Sequence, residues 1–284
     1  MNIEPRLLCT IVLVATLLAG CGSGPTPEAA TASTAAICDG SGGVRLAVVV
    51  GGGGPAEPGI AMLAENGWRF LLVDGACNAW ILTTQDDPLR TLVLSRAQEQ
   101  RLASQLRLSE WKALEGSHAG GCLDAPGIGY RFDSSRIYGS ECGLSPGDPL
   151  RDLNTAFDAQ IVELASAATP VSGDMRYLLL PDVGPAGGAG RAPVPWPLVV
   201  TPESIALSQE QAVQYNPGSS LRATGLDATR LRAIRAMRLN GSSGNGPVND
   251  FAYVVSTGGI VYQLFARDSV PFEMENGLLP AGTF

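Results

Sequence analysis

The 284-residue sequence predicts an α+β fold built from antiparallel β-meanders and hairpins with a few packed helices. Asn66-Gly67 and Asp74-Gly75, which are strong hairpin-turn signals, each lie between short apolar β-like runs. Ser95 and Thr224 each open a capping box in front of a helical apolar pattern. Because two-residue links cannot join parallel strands, these turns favour antiparallel sheets.

The first third of the chain is expected to form an antiparallel meander. A strand at Arg45–Val50 leads through a glycine loop to runs at Ile60–Glu65, Trp68–Val73 and Ala79–Thr83. Each run is short and apolar and is bounded by turn residues, which is typical of a strand.

The same region supports an alternative, an α/β Rossmann-like N-terminal unit. Gly51-Gly52-Gly53-Gly54 follows the first strand and Asp74 ends a later one, as in a dinucleotide-binding fingerprint. Against it, Glu57 would bring negative charge near the pyrophosphate, and a crossover needs about ten or more residues, which the segment after Gly59 does not offer. We therefore expect no cofactor.

The rest of the chain alternates helices and hairpins. A helix from Ser95 to about Leu108 should bury Leu102 and Leu106, and Trp111 should close its end. A hairpin of Tyr130–Phe132 with Arg136–Tyr138 is expected next, followed by a helix from Asp152 to Ala167 that buries Leu153, Phe157, Ile161 and Leu164.

The last part of the chain is expected to contain strands at Met175–Leu180 and Leu198–Val200, separated by a Pro/Gly-rich crossing at Pro181–Pro197. A helix from Thr224 through Leu239 should bury Leu231, Ile234 and Met237 or Arg238, and a hairpin of Phe251–Val255 with Ile260–Phe265 should follow it.

The N-terminus has the layout of a secretory signal. Arg6 precedes an apolar run from Leu7 to Leu18, which is too short to span a bilayer, since a span takes about 20 apolar residues. Leu18-Ala19-Gly20-Cys21 resembles the lipobox of bacterial lipoproteins, in which a diacylglyceryl group is attached to the cysteine and the signal is cut before it. The resemblance implies lipid attachment at Cys21. It also implies the outer membrane, because Gly22 is not the aspartate that retains such proteins at the inner membrane.

Four segments follow from this layout: a signal peptide (residues 1–20), a lipidated flexible tether (21–37), a disulfide-stapled β-rich subdomain (38–145) and an α+β subdomain (146–284). The tether carries too little apolar surface to fold. In Gly53–Gly59, Glu65–Gly67 and Val73–Cys77, the body resembles uncharacterised envelope lipoproteins of high-GC Gram-negative bacteria, a likeness that implies no particular activity.

Six cysteines divide between the signal, the anchor and the body. Cys9 leaves with the signal and Cys21 is lipidated. The other four, Cys38, Cys77, Cys122 and Cys142, are expected to pair in an oxidising compartment. Of three connectivities we favour Cys38–Cys77 with Cys122–Cys142, because each bridge then staples a contiguous β segment. A metal site is the alternative, but Cys-x-x-Cys spacing and a histidine cluster are lacking, so we expect no metal.

The charge distribution restricts the partners. The net charge is −8 and the arginines are dispersed, which disfavours nucleic-acid binding. Membrane contact is therefore expected through the N-terminal lipid, and another envelope protein is the remaining candidate partner.

No catalytic residue is assigned, and the sequence leans against an enzyme. His118 is the only histidine and Lys112 the only lysine, and neither lies in a nucleophile motif. Three carboxylate pairs could do acid–base chemistry: Asp86 with Asp87, Glu273 with Glu275, and Asp250 with Asp268.

The leading hypothesis is a non-catalytic lipoprotein that binds or supports another envelope component. Its exposed strand edges or the crossing at Pro181–Pro197 would form the contact surface. The alternative is an envelope hydrolase that uses acidic residues on glycans or peptides.

Overall fold

The computed structural model describes residues 36–51, 67–84, 87–118, 126–140, 142–181, 193–208, 210–211, 219–241 and 251–273. The predicted α+β class is confirmed. The strands are β1 (Val44–Gly51), β2 (Arg69–Asp74), β3 (Asn78–Leu82), β4 (Arg90–Val93), β5 (Gly116–His118), β6 (Gly127–Phe132), β7 (Ser135–Ser140), β8 (Thr169–Pro170), β9 (Met175–Pro181), β10 (Val194–Pro195), β11 (Leu221–Ala223), β12 (Phe251–Val255) and β13 (Val261–Asp268). The helices are α1 (Arg96–Gln105), α2 (Pro149–Ala167), α3 (Pro202–Ile205) and α4 (Gly225–Gly241), with a 3-10 turn at Leu108–Glu110.

The first sheet has the strand order β5-β7-β6-β1-β2-β3-β4-β8. β1 lies between β2 and β6 and is antiparallel to both, and β3 continues the meander beside β2. The predicted antiparallel arrangement of Arg45–Val50, Trp68–Val73 and Ala79–Thr83 is therefore confirmed. The run predicted at Ile60–Glu65 lies outside the described residues.

The alternative Rossmann-like unit is wrong. In that fold β1 and β2 would be parallel neighbours joined by a crossover helix, whereas Val48 pairs with Leu71 in an antiparallel register. Gly67 has a φ of 95°, which suits glycine, and a Cβ there would lie 2.9 Å from the Val50 carbonyl oxygen. The turn predicted at Asn66-Gly67 itself stays a prediction, because Asn66 lies outside the described residues. Gly52–Gly54 lie outside the described residues.

Helix α1 begins at the predicted capping box. The Ser95 hydroxyl accepts from the Gln98 N–H at 3.3 Å, and the Gln98 side chain accepts from the Ser95 N–H at 2.9 Å. The helix ends at Gln105, before the predicted end, and the chain continues into the 3-10 turn. Trp111 is fully buried there and its indole N–H donates to the Leu106 carbonyl at 2.6 Å. It closes the end of the helix, as predicted.

The hairpin predicted around Asp133 is present as β6 and β7. Helix α2 starts at Pro149 instead of Asp152, because Asp148 caps it by accepting from the Leu150 N–H at 2.9 Å. Proline suits this first helical turn. The predicted apolar stripe of α2 is buried: Leu153, Phe157, Ile161 and Leu164.

The second sheet has the order β10-β12-β13-β9-β11. Its central strands β12, β13 and β9 are antiparallel neighbours, which confirms the strand predicted at Met175–Leu180 and the hairpin predicted across Gly258-Gly259. Helix α4 follows Thr224 directly, as predicted, and packs Leu231 and Ile234 into the core of this sheet.

One detail predicted for this half is wrong. Leu198–Val200 forms a bend and not a strand, and Val194–Pro195, inside the predicted crossing, pairs in parallel with β12 instead. Of the two positions left open for the last turn of the α4 stripe, Met237 is 61% exposed, and Arg238 stays a prediction.

Each sheet has its own core. The core of the first sheet includes apolar side chains of α1 and α2, and its last residue along the chain is Ala168. Helix α4 covers the second sheet and contributes to its core. The subdomain boundary expected near residue 145 stays a prediction. A third cluster on the opposite face of the first sheet, with Phe70, Leu89 and Val270, connects the two halves within one compact unit.

Candidate functional site

Cys21, the predicted lipid-attachment residue, lies outside the described residues, so the anchor stays a prediction. The described chain starts at Ala36, and Ile37 is already fully buried in the first core. The backbone N–H groups of Ile37 and Cys38 both donate to the Glu99 carboxylate at 2.9 Å. None of the described helices is long and apolar enough to span a bilayer.

Cys38 and Cys77 form the disulfide that the sequence favours, with Cα atoms 5.0 Å apart. Cys142 is disulfide-bonded too, but Cys122 lies outside the described residues, and the Cys122–Cys142 pairing stays a prediction. A Glu99 oxygen lies within 4.8 Å of both sulfurs of the first bridge. Those sulfurs are bonded to each other, so in this oxidised form they are not thiolate ligands for a metal.

The side chains of the only histidine and the only lysine each contact residues close to them in the sequence. His118 Nε2 lies 3.0 Å from the Leu114 carbonyl oxygen, and its Nδ1 lies 3.9 Å from the Asp148 carboxylate that caps α2. Lys112 Nζ pairs with Glu115 on the surface. Within the described part of the chain, neither side chain contacts a serine hydroxyl or a thiol.

Each of the three predicted carboxylate pairs has one member outside the described residues, namely Asp86, Asp250 or Glu275, so the distance within each pair is not described. The described members all have partners. Asp87 accepts from the Thr83 hydroxyl, and Glu273 accepts from the Arg267 guanidinium and the Val270 N–H. Asp268 accepts from two arginines on α4.

Asp268 belongs to a buried ionic cluster, which we define as Arg176, Arg235, Arg267, Asp268 and Glu273. The Asp268 side chain is 2% exposed, and Arg235 donates to it at 2.9 Å. It also accepts from the N–H of Leu89, the residue directly before β4 of the first sheet, at 3.2 Å. Buried charges persist only when they are paired and hydrogen-bonded, so this cluster fastens one sheet to the other. Both carboxylate oxygens of Asp268 accept hydrogen bonds from protein donors.

Val199, the most exposed large apolar side chain among the described residues, lines a groove beside β10 and β12. The apolar groove, defined as Pro195, Trp196, Leu198, Val199, Val200 and Val255, has a volume of about 220 Å³. Trp196 packs against Tyr177 and donates its indole N–H to the Val200 carbonyl at 2.6 Å, which fixes the bend between them. As a result Val199 is 89% exposed and Val200 40% exposed.

The rim of the groove combines one more apolar side chain with one carboxylate. Ile260 is 49% exposed and its backbone pairs with Ser256, which lines the groove. The Ser256 hydroxyl hydrogen-bonds to the Glu203 carboxylate and lowers the pKa of Glu203 below its ordinary value. Burial raises the pKa of the neighbouring Tyr262 phenol, and the Glu203 charge raises it further. The rim thus carries a negative charge at neutral pH.

The chain matches no model of a known protein family, no curated protein and no solved structure. Its function is therefore inferred from the chemistry of its own surfaces.

The sequence prediction missed both the groove and the buried ionic cluster. Pro197 and Pro202 bracket Leu198–Val200 closely, a spacing that favours a bend over a strand and could have indicated the exposed valines. Arg235 directly follows Ile234 in the apolar stripe of α4, and a charged residue at such a position could have indicated a buried partner.

Proposed function

We propose that this protein is an outer-membrane lipoprotein that binds another envelope protein and catalyses no reaction. The anchor rests on Leu18-Ala19-Gly20-Cys21 after a short apolar run. Acyl chains contribute about 0.8 kcal/mol per buried methylene, so two or more chains on Cys21 would hold the protein stably on the membrane.

The binding role rests on a single observation, the exposure of Val199 beside the apolar groove. Val199 and Val200 occupy a bend that Trp196 holds rigidly, so their exposure follows from the local fold. A partner that buried the Val199 side chain would gain about 1.5–3 kcal/mol, and less for Val200, which is only 40% exposed. A preordered apolar patch with a polar rim is typical of a protein contact site.

A protein partner is favoured over the lipid surface itself. The chain carries a net charge of −8, and the Glu203 carboxylate lies beside the groove. Both charges oppose close contact with an anionic bilayer, which attracts basic patches instead. A partner protein with a basic residue opposite Glu203 would complement this rim.

The hydrolase alternative gains no support from the described carboxylates. Asp268 and Glu273 are buried among arginines, and Asp87 accepts from the Thr83 hydroxyl. An acid–base pair needs carboxyl groups that reach a substrate from a cleft.

Crosslinking and pull-down from intact envelopes tests the proposal. The tagged wild-type protein should recover one envelope protein reproducibly, and the double variant Val199→Glu/Val200→Glu should recover at least tenfold less. Val93→Glu is the matched control, because Val93 is 69% exposed on β4. Absence of a reproducible partner, or equal recovery with the double variant, would contradict the proposal.

A further inference from the structure

A polar cavity of about 470 Å³ lies alongside α2, distinct from the apolar groove. Its described lining consists of Arg69, Gly143, Leu144, Arg151, Asn154, Thr155 and Asp158. Pockets of roughly 300–1,000 Å³ are the size that takes small ligands. This cavity therefore has room for a molecule of a few residues at most.

The lining of the cavity follows from the helical repeat. Arg151, Asn154, Thr155 and Asp158 are spaced i, i+3, i+4 and i+7, which places them along one stripe of α2. The adjacent stripe, with Leu153 and Phe157, is buried in the first core. A rigid, half-buried helix therefore presents a row of polar groups to the cavity.

The negative end of the row is held in place by Arg69 on β2. Its guanidinium pairs with the Asp158 carboxylate at 3.0 Å and lies 5.4 Å from the centre of the Phe157 ring. Asp158 keeps 53% of its side chain exposed despite this pair. It can therefore accept a second donor from a ligand.

The positive end of the row has donors that no described residue uses. The Tyr130 hydroxyl donates to Asn154 Oδ1 at 2.6 Å, which orients the amide and leaves its NH₂ group as a donor. The exposed Arg151 guanidinium makes no ion pair or hydrogen bond to another described residue. Arginine pairs with carboxylates through two parallel hydrogen bonds.

We propose that this cavity binds a short peptide of two or three residues through its terminal charges. The peptide carboxylate lies on Arg151 and the Asn154 amide, its terminal ammonium group lies on Asp158, and Leu144 contacts a small apolar side chain between them. This site is independent of the partner surface around Val199, and it adds a ligand of its own to the proposed binding role.

The spacing of the charges selects a peptide over a free amino acid. Positions i and i+7 of a helix are separated by about 10 Å along the axis. An extended chain of three residues spans about 10 Å, whereas both charges of a free amino acid sit on one residue. Asp158 also disfavours inorganic phosphate, which has no positive group to meet it.

Isothermal titration calorimetry with the detergent-solubilised full chain tests this site. The probe is trialanine, with trialanine amide, free alanine and inorganic phosphate as comparisons. Trialanine should bind and the other three should bind at least tenfold more weakly. Arg151→Gln should weaken trialanine binding at least tenfold, whereas Arg96→Gln, which removes an exposed arginine on α1, should leave it unchanged.

Several results would overturn the proposal: no binding of trialanine, equal binding of its amide, tighter binding of phosphate, or unchanged binding by Arg151→Gln. Both variants should keep the wild-type unfolding midpoint, because Arg151 and Arg96 are exposed. Loss of partner recovery with Val199→Glu/Val200→Glu, together with unchanged trialanine binding, separates this site from the proposed partner surface.

Discussion

Arg235 on α4 and Asp268 at the end of β13 form a 2.9 Å ion pair in which the side chains are only 6% and 2% exposed. Arg235 also donates to the Asp87 carbonyl at 2.7 Å, and Asp268 accepts from the Leu89 N–H at 3.2 Å. Both contacts reach from the second sheet and its helix to the segment that precedes β4. The pair therefore holds the two sheets together by hydrogen bonds as well as by charge.

Asp268→Ala should lower the free energy of unfolding by about 3–5 kcal/mol, because it leaves buried arginines without their counter-charge. Urea denaturation measures this change. The matched control is Glu163→Gln, which removes a half-exposed carboxylate paired with Arg101 and should cost about 0–1 kcal/mol. Equal costs for the two variants would mean that the buried pair does not hold the sheets together.

The Cys38→Ser/Cys77→Ser double variant should lose about 2–4 kcal/mol of stability, because the bridge closes a loop with a sequence separation of 39. Its urea midpoint should fall relative to the oxidised wild-type protein. Ser41→Ala, an exposed change near Cys38, is the control and should leave the midpoint close to that of wild type. An unchanged midpoint in the double variant would argue against a structural role for this bridge.

Ser256→Ala should raise the pKa of Glu203 toward its ordinary value of 4.5, because the Ser256 hydroxyl is the main cause of the lowered pKa. A depressed carboxylate pKa stabilises the fold above the unfolded value, and this stabilisation is lost as pH falls through the folded pKa. Carbon-detected NMR titration of the Glu203 carboxyl measures the shift. Thr257→Ala, an exposed neighbour, should leave this pKa unchanged; no difference between the two variants would refute the hydrogen bond.

Cys21→Ala should release the protein from the membrane fraction and abolish incorporation of labelled palmitate, because the predicted lipid is attached at Cys21. Cys9→Ala is the matched control, since Cys9 is expected to leave with the signal and its variant should remain lipidated. Labelling that persists in Cys21→Ala would contradict the lipobox interpretation.

Local signals predicted most of the secondary structure. The capping box at Ser95, the start of a helix directly after Thr224 and the apolar stripe of α2 are all encoded within a few neighbouring residues, and each is confirmed. The hairpin-turn signals also favoured the antiparallel meander over the Rossmann-like alternative, and this choice is correct. Short turns join antiparallel strands, whereas a run of glycines does not by itself determine the direction of the next strand.

Long-range contacts could not be predicted in this way. Arg235 and Asp268 are 33 residues apart, and their pairing depends on how α4 packs on β13. The exposure of Val199 likewise depends on Trp196 meeting Tyr177 on another strand. The cavity at α2 combines side chains from β2, α2 and the segment after β7, so no single stretch of sequence indicated it.

The most direct measurement is site-specific photo-crosslinking in intact cells, with a photoreactive residue at position 199 and a matched one at position 93. The proposed function predicts one reproducible adduct with an envelope protein from position 199 and none from position 93. An absence of adducts at position 199, or the same adducts from both positions, would contradict the claim that the Val199 surface is a specific protein-binding site.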